Sequence, residues 1–414
     1  MIGRTASQSV EDVVRRSSRR LVALLAARTR DLAGAEDALA SAVLKALESW
    51  SDGALPRNPE AWLLTVARHD ILDAHRHDQV RSSAESTLLA LAEEASASDV
   101  QATQFADERI KLMFVCAHPA IEASMHTPLM MQVVLGMEAA QMASVFLTSP
   151  AAMAQKLVRA KARIRDNALA FEVPAASELP ARLPAVLSAI YAAYACGWDA
   201  LPEEEPGPTL ETQGLELAAL LSHSLPEQAE AAGLLALLLY VHARAPARWG
   251  PAGDRFVPLH QQDVHLWDAK LLAAADLALQ RAASRHLLGR FQIEAAIQQT
   301  HVRLCLQGRS SSPELLALYE GMLRYAPTLG AKLAYLAALA EEQGAAAAYA
   351  RLQEEQLEPR LSSHQPYWAL KAALLSQLDQ PAEARQAYER AVGLSADPRV
   401  RAYLQWRLSE LAPL

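Results

Sequence analysis

Residues 136–166 read GMEAAQMASVFLTSPAAMAQKLVRAKARIRD, and their spacing predicts two helices joined by a tight turn. On a helix, Met153, Leu157, Ala160 and Ile164 fall at i, i+4, i+7 and i+11 and make one apolar stripe. Lys156, Arg159 and Arg163 share another face, with Lys161 and Arg165 beside them. Pro150 suits a first helical position, where a missing N–H costs nothing, and Ser149 suits the N-cap before it. The preceding stretch predicts a short helix over Glu138–Phe146 and a turn at Leu147–Ser149. Short helix, turn and basic helix make a helix-turn-helix, whose second helix would enter the major groove of DNA. Near its N-terminus Ala151, Ala152 and Gln155 are placed for base edges, and Lys156, Arg159 and Arg163 for phosphates. The plainer alternative is an amphipathic helix with a solvated basic face.

This cationic cluster belongs to a chain of 414 residues with a formal net charge of −8. Residues 1–81 hold 12 Lys and Arg against 11 Asp and Glu, and residues 106–166 hold 7 against 5. The rest of the chain beyond 166 holds 20 against 27, so the acidity lies at the rear. Such asymmetry points to nucleic acid as a partner of the front. The length predicts several domains. Half of the residues are apolar but only 6% are aromatic, a balance that favours helices. Cys116, Cys196 and Cys305 are odd in number and far apart, so neither a disulfide framework nor a zinc spacing is expected. With no apolar leader and no run of 18 apolar residues, the expected location is the cytoplasm, with no membrane partner.

Almost every other segment carries a helical period. Val10, Val13, Val14, Leu21, Leu24 and Leu25 form one stripe of a first helix. Leu32, Ala35, Leu39, Val43 and Leu47 are expected to point inward from a second, which ends at Trp50. A third begins near Pro59, after the turn SDGALPRNP. Residues 81–105, rich in Ser, Ala and Glu, are expected to link this bundle, residues 1–80, to a second one at residues 106–170. Residues 171–414 are predicted as paired helices, with the two in residues 210–247 packed on each other. One late stretch, YWALKAALLSQLDQPAEARQAYERAVGL, sets Trp368, Ala372, Leu375, Ala384, Tyr388 and Ala391 at the offsets of a tetratricopeptide unit. The expected fold class is all-α.

GMEAAQMASVFLTSPAAMAQKLVRAKARIRD resembles the fourth region, the promoter −35 reader, of extracytoplasmic-function sigma factors of the sigma-70 family. DLAGAEDALASAVLKALESW resembles the helices of their second region that dock on the RNA polymerase clamp. NPEAWLLTVARHDILDAHRH resembles the helix that meets the −10 element. FEVP, RLPAVLSAIYAAY, GLLALLLYVHARAPAR and LHQQDVHLWDAKLL resemble the helical extension of one subgroup, whose members end in tetratricopeptide-like repeats. In order and spacing the resemblance covers nearly the whole chain. It implies a protein that binds core RNA polymerase and directs it to particular promoter DNA, without an active centre, cofactor or metal of its own. It further implies that Asp31, Glu36, Asp37 and Trp50 lie on or near the clamp-binding helices. Trp62, Arg68, His69, His75, Arg76 and His77 would serve the −10 step. The extension is expected to regulate the front, with a protein or peptide as the ligand of its repeats.

The chain also departs from that pattern. The −10 helix carries histidines and the acids Asp70 and Asp73 where relatives usually carry arginines. Histidine is mostly neutral near pH 7, so promoter melting is expected to be weak, selective or pH-sensitive. Pro150 and Ala152 replace polar residues, which leaves sequence preference to Gln155 and DNA shape. Ala195, Cys196, Gly197 and Trp198 stand where relatives carry an Asn-Glu-Gly-aromatic motif. His69, Asp73 and His77 share a helix face, but such spacing is common on helical surfaces and is not read as a metal site; nor is Cys116 with His118. GxGxxG, P-loop, HExxH and GxSxG patterns are absent, which argues against an enzyme. The rival reading is a helical-repeat adaptor with a vestigial DNA-binding front.

Overall fold

The computed structural model describes residues 6–29, 31–50, 56–79, 102–146, 148–169, 171–199, 209–354 and 359–411. Most of the expected linker lies outside the described residues. Those described form α-helices and short 3-10 turns, and among them the only β pairing is one bridge, Trp249–Phe256. The all-α class expected from composition is the class adopted. The chain divides into two compact units, Met1–Ser224 and Leu225–Leu414.

The first unit opens with a bundle of α1 (Ala6–Thr29), α2 (Leu32–Ser49) and α3 (Pro59–Gln79). Leu21, Leu25, Leu32, Ala35 and Leu63 are buried in it. Ser17 on α1 donates a hydrogen bond to Glu60 on α3. The inward stripe of α2 ends earlier than expected: Val43 is half-buried and Leu47 exposed. Ala38, Ala42 and Ala46 take the inward positions instead, since small side chains let α2 lie close to its neighbours. The stripe closes on Trp50, whose ring meets Trp62 edge-on with centroids 5.3 Å apart.

Among the described residues six further helices belong to this unit: α4 (Ala102–Cys116), α5 (Ala123–Val133), α6 (Ala139–Val145), α7 (Pro150–Asp166), α8 (Leu179–Asp199) and α9 (Leu210–Ser224). Of these, α4 packs on α1, α8 on α5, and α9 on α8. Two glycines permit the last contact. A Cβ at Gly197 would stand 2.2 Å from the Glu211 nitrogen, and one at Gly214 would stand 3.0 Å from that of Tyr194. The Arg109 guanidinium on α4 is buried and reaches across to Glu216 on α9, Nη2 to Oε1 2.6 Å. By length and composition alone α8 could cross a membrane, but half of its apolar span is buried within the protein.

The second unit is built on α10 (Ala229–His242), which is apolar on every side and almost wholly buried. Its partners are α11 (Ala269–Ala283) and α12 (Arg290–Leu306). Residues 210–224 and 229–242, expected to pack on each other, belong to different units; within them α9 buries a face on α8, and α10 on α11 and α12. Gly233 permits the close approach of α10 and α12, because a Cβ there would lie 2.8 Å from the Gln292 side chain. Helices α13 (Pro313–Tyr325), α14 (Leu329–Gln343), α15 (Ala345–Glu354), α16 (Gln365–Gln377), α17 (Pro381–Leu394) and α18 (Pro398–Ser409) then stack pairwise. Ala372, Leu375, Ala384, Tyr388 and Ala391 share one buried cluster between α16 and α17, with Trp368 packed at its edge. The array is tied back to its beginning. The Phe256 N–H donates to the Arg399 carbonyl at 3.3 Å, and the Arg399 guanidinium lies 3.6 Å from the Trp249 ring centroid.

Several buried polar groups inside this unit are matched to one another. Tyr240 donates to Asp276, which also accepts from Gln299 at 2.7 Å. His301 and Tyr319 share a hydrogen bond at 2.9 Å. Burial, helped by the charge of Arg244, holds the His301 ring down at about 4, against an ordinary value of 6.5. Between those pH values the unfolded chain binds more protons than the fold, so stability falls as the pH drops through this window. The loss approaches about 3 kcal/mol at pH 4. His301→Gln keeps a neutral partner for Tyr319 and should flatten this part of the acid dependence. Urea unfolding of the second unit's transition between pH 7 and pH 4.5 checks it; an equal slope in both proteins would rule His301 out as the source.

Candidate nucleic-acid interface

Local chemistry sets α6 and α7 in place. Gly136, at φ 79, ends α5 in the left-handed conformation that glycine tolerates best. Its N–H donates to the Gln132 carbonyl, and the next N–H, of Met137, returns to that of Met131 at 3.1 Å. Glu138 and Gln141 then cap α6 reciprocally. Ser149 accepts from the Ala152 N–H at 3.2 Å, and Pro150 is the first residue of α7. Met153, Leu157, Ala160 and Ile164 are all buried, as their spacing predicts.

That anchoring leaves the rest of α7 outward. Ala151, Gln155, Lys156, Arg159 and Arg163 are exposed together, while Ala152 turns half inward. Lys156, Arg159 and Arg163 line an open cleft of about 660 Å³ together with Pro119, Ala120, Ile121 and Met125. Glu122 and Asp166 also border it. Such a row of cations can hold phosphate oxygens along a backbone.

Lys161 lies on the opposite flank of α7 and behaves differently. Its Nζ is 2.6 Å from Glu36 Oε2 on α2, and the two side chains are only 13% and 25% exposed. Glu36 thus faces α7, whereas its neighbour Asp37 faces solvent. Asp37, Ala40, Leu44, Leu47 and Glu48 form an exposed stripe of α2, apolar in the middle and acidic at both ends. Leu44 and Leu47 are 63% and 45% exposed. The sequence pattern missed this stripe, because it assigned Leu47 to the core.

The remaining candidates divide. Asp31 is half-buried at the N-terminus of α2, and its carboxylate fills the space that a side chain at Gly34 would need. Trp50 is 2% exposed, so it fixes the end of α2 from within and offers no surface of its own. On α3, Trp62 and Arg68 are half-buried and His69 is exposed. The side chains of His75, Arg76 and His77 fall outside the described residues. Asp70 pairs with Lys45 of α2. Burial pushes its carboxyl up, but hydrogen bonds from Lys45 and Ser41 outweigh that and leave it below the usual range. Its charge is thus partly absorbed by the bundle. Among the described residues no three His, Cys, Asp or Glu side chains converge as a metal site.

The family model described as Sigma-70 region 2 matches residues 13–81, the span of the three-helix bundle. A second model, a family of unknown function (DUF6596), matches residues 182–283. Uncharacterized protein R00370 of Rhizobium meliloti (strain 1021) is 34% identical over 389 residues, 92% of this chain and 91% of that protein. A probable RNA polymerase sigma factor, RfaY, of Xanthomonas campestris pv. campestris is 31% identical over 153 residues, 36% of this chain and 38% of its own length. No solved structure matches the chain.

Proposed function

We infer the function of this chain from the family to which it belongs, the sigma-70 factors of the extracytoplasmic-function-like kind that carry a long C-terminal extension. The protein is a sigma factor: it binds core RNA polymerase and directs it to particular promoters, and it acts by binding, without an active centre. The region 2 match over the α1–α3 bundle is the observation that carries this reading. The exposed stripe of α2 supports it, since an apolar centre with a charged rim suits a protein partner. In this scheme residues 1–80 engage polymerase and the −10 element, 81–105 link, and 106–170 engage the −35 element through α7. The remainder, with its tetratricopeptide-like end, regulates the front in the cytoplasm.

Run-off transcription with core polymerase on the promoter of the protein's own operon tests the reading directly. A discrete transcript that requires this protein is the expected result. Failure to retain core polymerase in a pull-down would overturn it in favour of a helical-repeat adaptor.

The Glu36–Lys161 pair bears on how polymerase is engaged. Glu36 cannot meet the clamp while Lys161 holds it, so engagement opens the contact between α2 and α7. Half-screened pairs of this kind contribute less than about 1 kcal/mol. Lys161→Ala is therefore expected to raise affinity for core polymerase by about threefold, measured without DNA to separate this from any phosphate contact. An unchanged affinity would remove the pair from the binding equilibrium.

A further inference from the structure

We propose that α7 reads base edges through a strip centred on Gln155 and Val158, and that Val158 receives the 5-methyl group of a thymine. The proposal rests on α7 being the duplex-reading helix. Val158 is 67% exposed, and with Leu44 at 63% it is among the most exposed large apolar side chains of the described residues of the first unit. A single exposed valine means little, because scattered apolar side chains are ordinary on protein surfaces. Its setting gives it meaning. Met153, Leu157, Ala160 and Ile164 consume the apolar face of α7 in the core. At about 100° per residue, Ala151, Gln155, Val158 and Ala162 fall on the opposite pole. Ala151, Gln155 and Val158 are exposed, and Ala162 is half-buried.

Cations flank this strip on both sides: Lys156, Arg159 and Arg163 along one, and the exposed Arg165 along the other. The surface that fits it is anionic at its edges and carries a small apolar group in its floor. A B-form major groove meets both conditions. It is about 12 Å wide, comparable with a helix and its side chains, and the thymine methyl projects into it. A bilayer is a poor match, because the apolar face that would enter it is already buried. The chemistry of the strip is selective. Gln155 can pair with the N6 and N7 edge of adenine, and Val158 offers only apolar contact. The two positions are about 4.5 Å apart along the helix axis, close to one base-pair step. The strip therefore favours a thymine within a step or two of an adenine, on whichever strand faces it. Guanine, which arginine reads best, has no partner at this pole.

Deoxyuridine substitution isolates the contact, since it removes the methyl group and nothing else from the groove. The holoenzyme, with the full-length chain, is first used to select binding duplexes from a random pool. Each thymine upstream of the melted segment is then replaced singly by deoxyuridine. One position should weaken binding by about fourfold, the effect of losing one buried methyl. Val158→Ala should bind the thymine duplex about as weakly as the wild type binds that uridine duplex, and should no longer distinguish the two. Val158 is exposed, so its replacement leaves the core of α7 intact. If promoters are selected and no uridine position matters, or if Val158→Ala keeps the same sensitivity, the strip does not read methyl groups while the sigma reading stands. If no duplex is selected at all, both fall. If Val158→Ala weakens binding to core polymerase without DNA, the strip is a protein-docking face and the proposal is overturned.

Discussion

Replacing Lys156, Arg159 and Arg163 together by alanine is expected to reduce promoter binding by the holoenzyme about a hundredfold at 0.15 M salt. The number follows from counterion release. Each phosphate contact contributes about 0.9 to the slope of log affinity against log salt. Referred to 1 M salt, one contact is then worth about fivefold at 0.15 M, and three contacts about a hundredfold. The slope should fall by about 3 in the triple variant. Variant and wild-type affinities should therefore converge as salt is raised. All three side chains are exposed, and the buried stripe that holds α7 is untouched, so the circular dichroism spectrum should not change. Filter binding or fluorescence anisotropy over a salt series decides the matter. An equal loss at every salt concentration would mean that the cations act other than through phosphates. No loss would leave α7 as a solvated basic face.

Helices α6 and α7, the cap of α7 and its buried stripe were legible in the sequence, because each depends on residues within one or two turns. Ser149 and Pro150 act on backbone groups three residues away or nearer, so spacing alone locates them. The same holds for the α16–α17 hairpin, where alanines opposite Tyr388 declare a close crossing. What the sequence hid depends on partners far along the chain. Lys161 looked like one more cation of a DNA-reading face, yet it is paired with a residue 125 positions away. Asp70 looked like a charge placed against DNA, and Lys45 on another helix absorbs part of it. Leu47 fitted a helical period that Ala46 and Trp50 occupy in fact. The close packing of residues 210–224 on α8 was hidden for a related reason. It depends on Gly197 and Gly214, on two separate helices, which let α8 and α9 approach.

A chain ended at residue 178, before α8, should be far less stable than one ended at Ser224, although both contain the segments that resemble the second and fourth sigma regions. In the full protein α8 covers α5, whose Met125, Leu129, Met130 and Val133 are buried. Uncovering two or three such side chains costs about 5 kcal/mol. That is comparable with the whole stability of an ordinary domain. The same cut removes Glu216, the partner of the buried Arg109 guanidinium. A desolvated cation without its carboxylate adds to the loss, though less than in a deep core, because Glu216 is itself half-exposed. The shorter fragment is expected to aggregate or to bind an apolar dye, and the longer one to melt in a single transition; calorimetry and dye fluorescence distinguish them. Equal stability of the two would show that α8 and α9 lie on the front without supporting it. The distinction governs any test of regulation by the rear of the chain. Loss of transcription after a cut near residue 180 would report an exposed α5, whereas a cut after Ser224 removes the second unit and leaves the first with its own cover. Only a change of activity or promoter choice in the longer fragment is evidence that the helical array controls the sigma module.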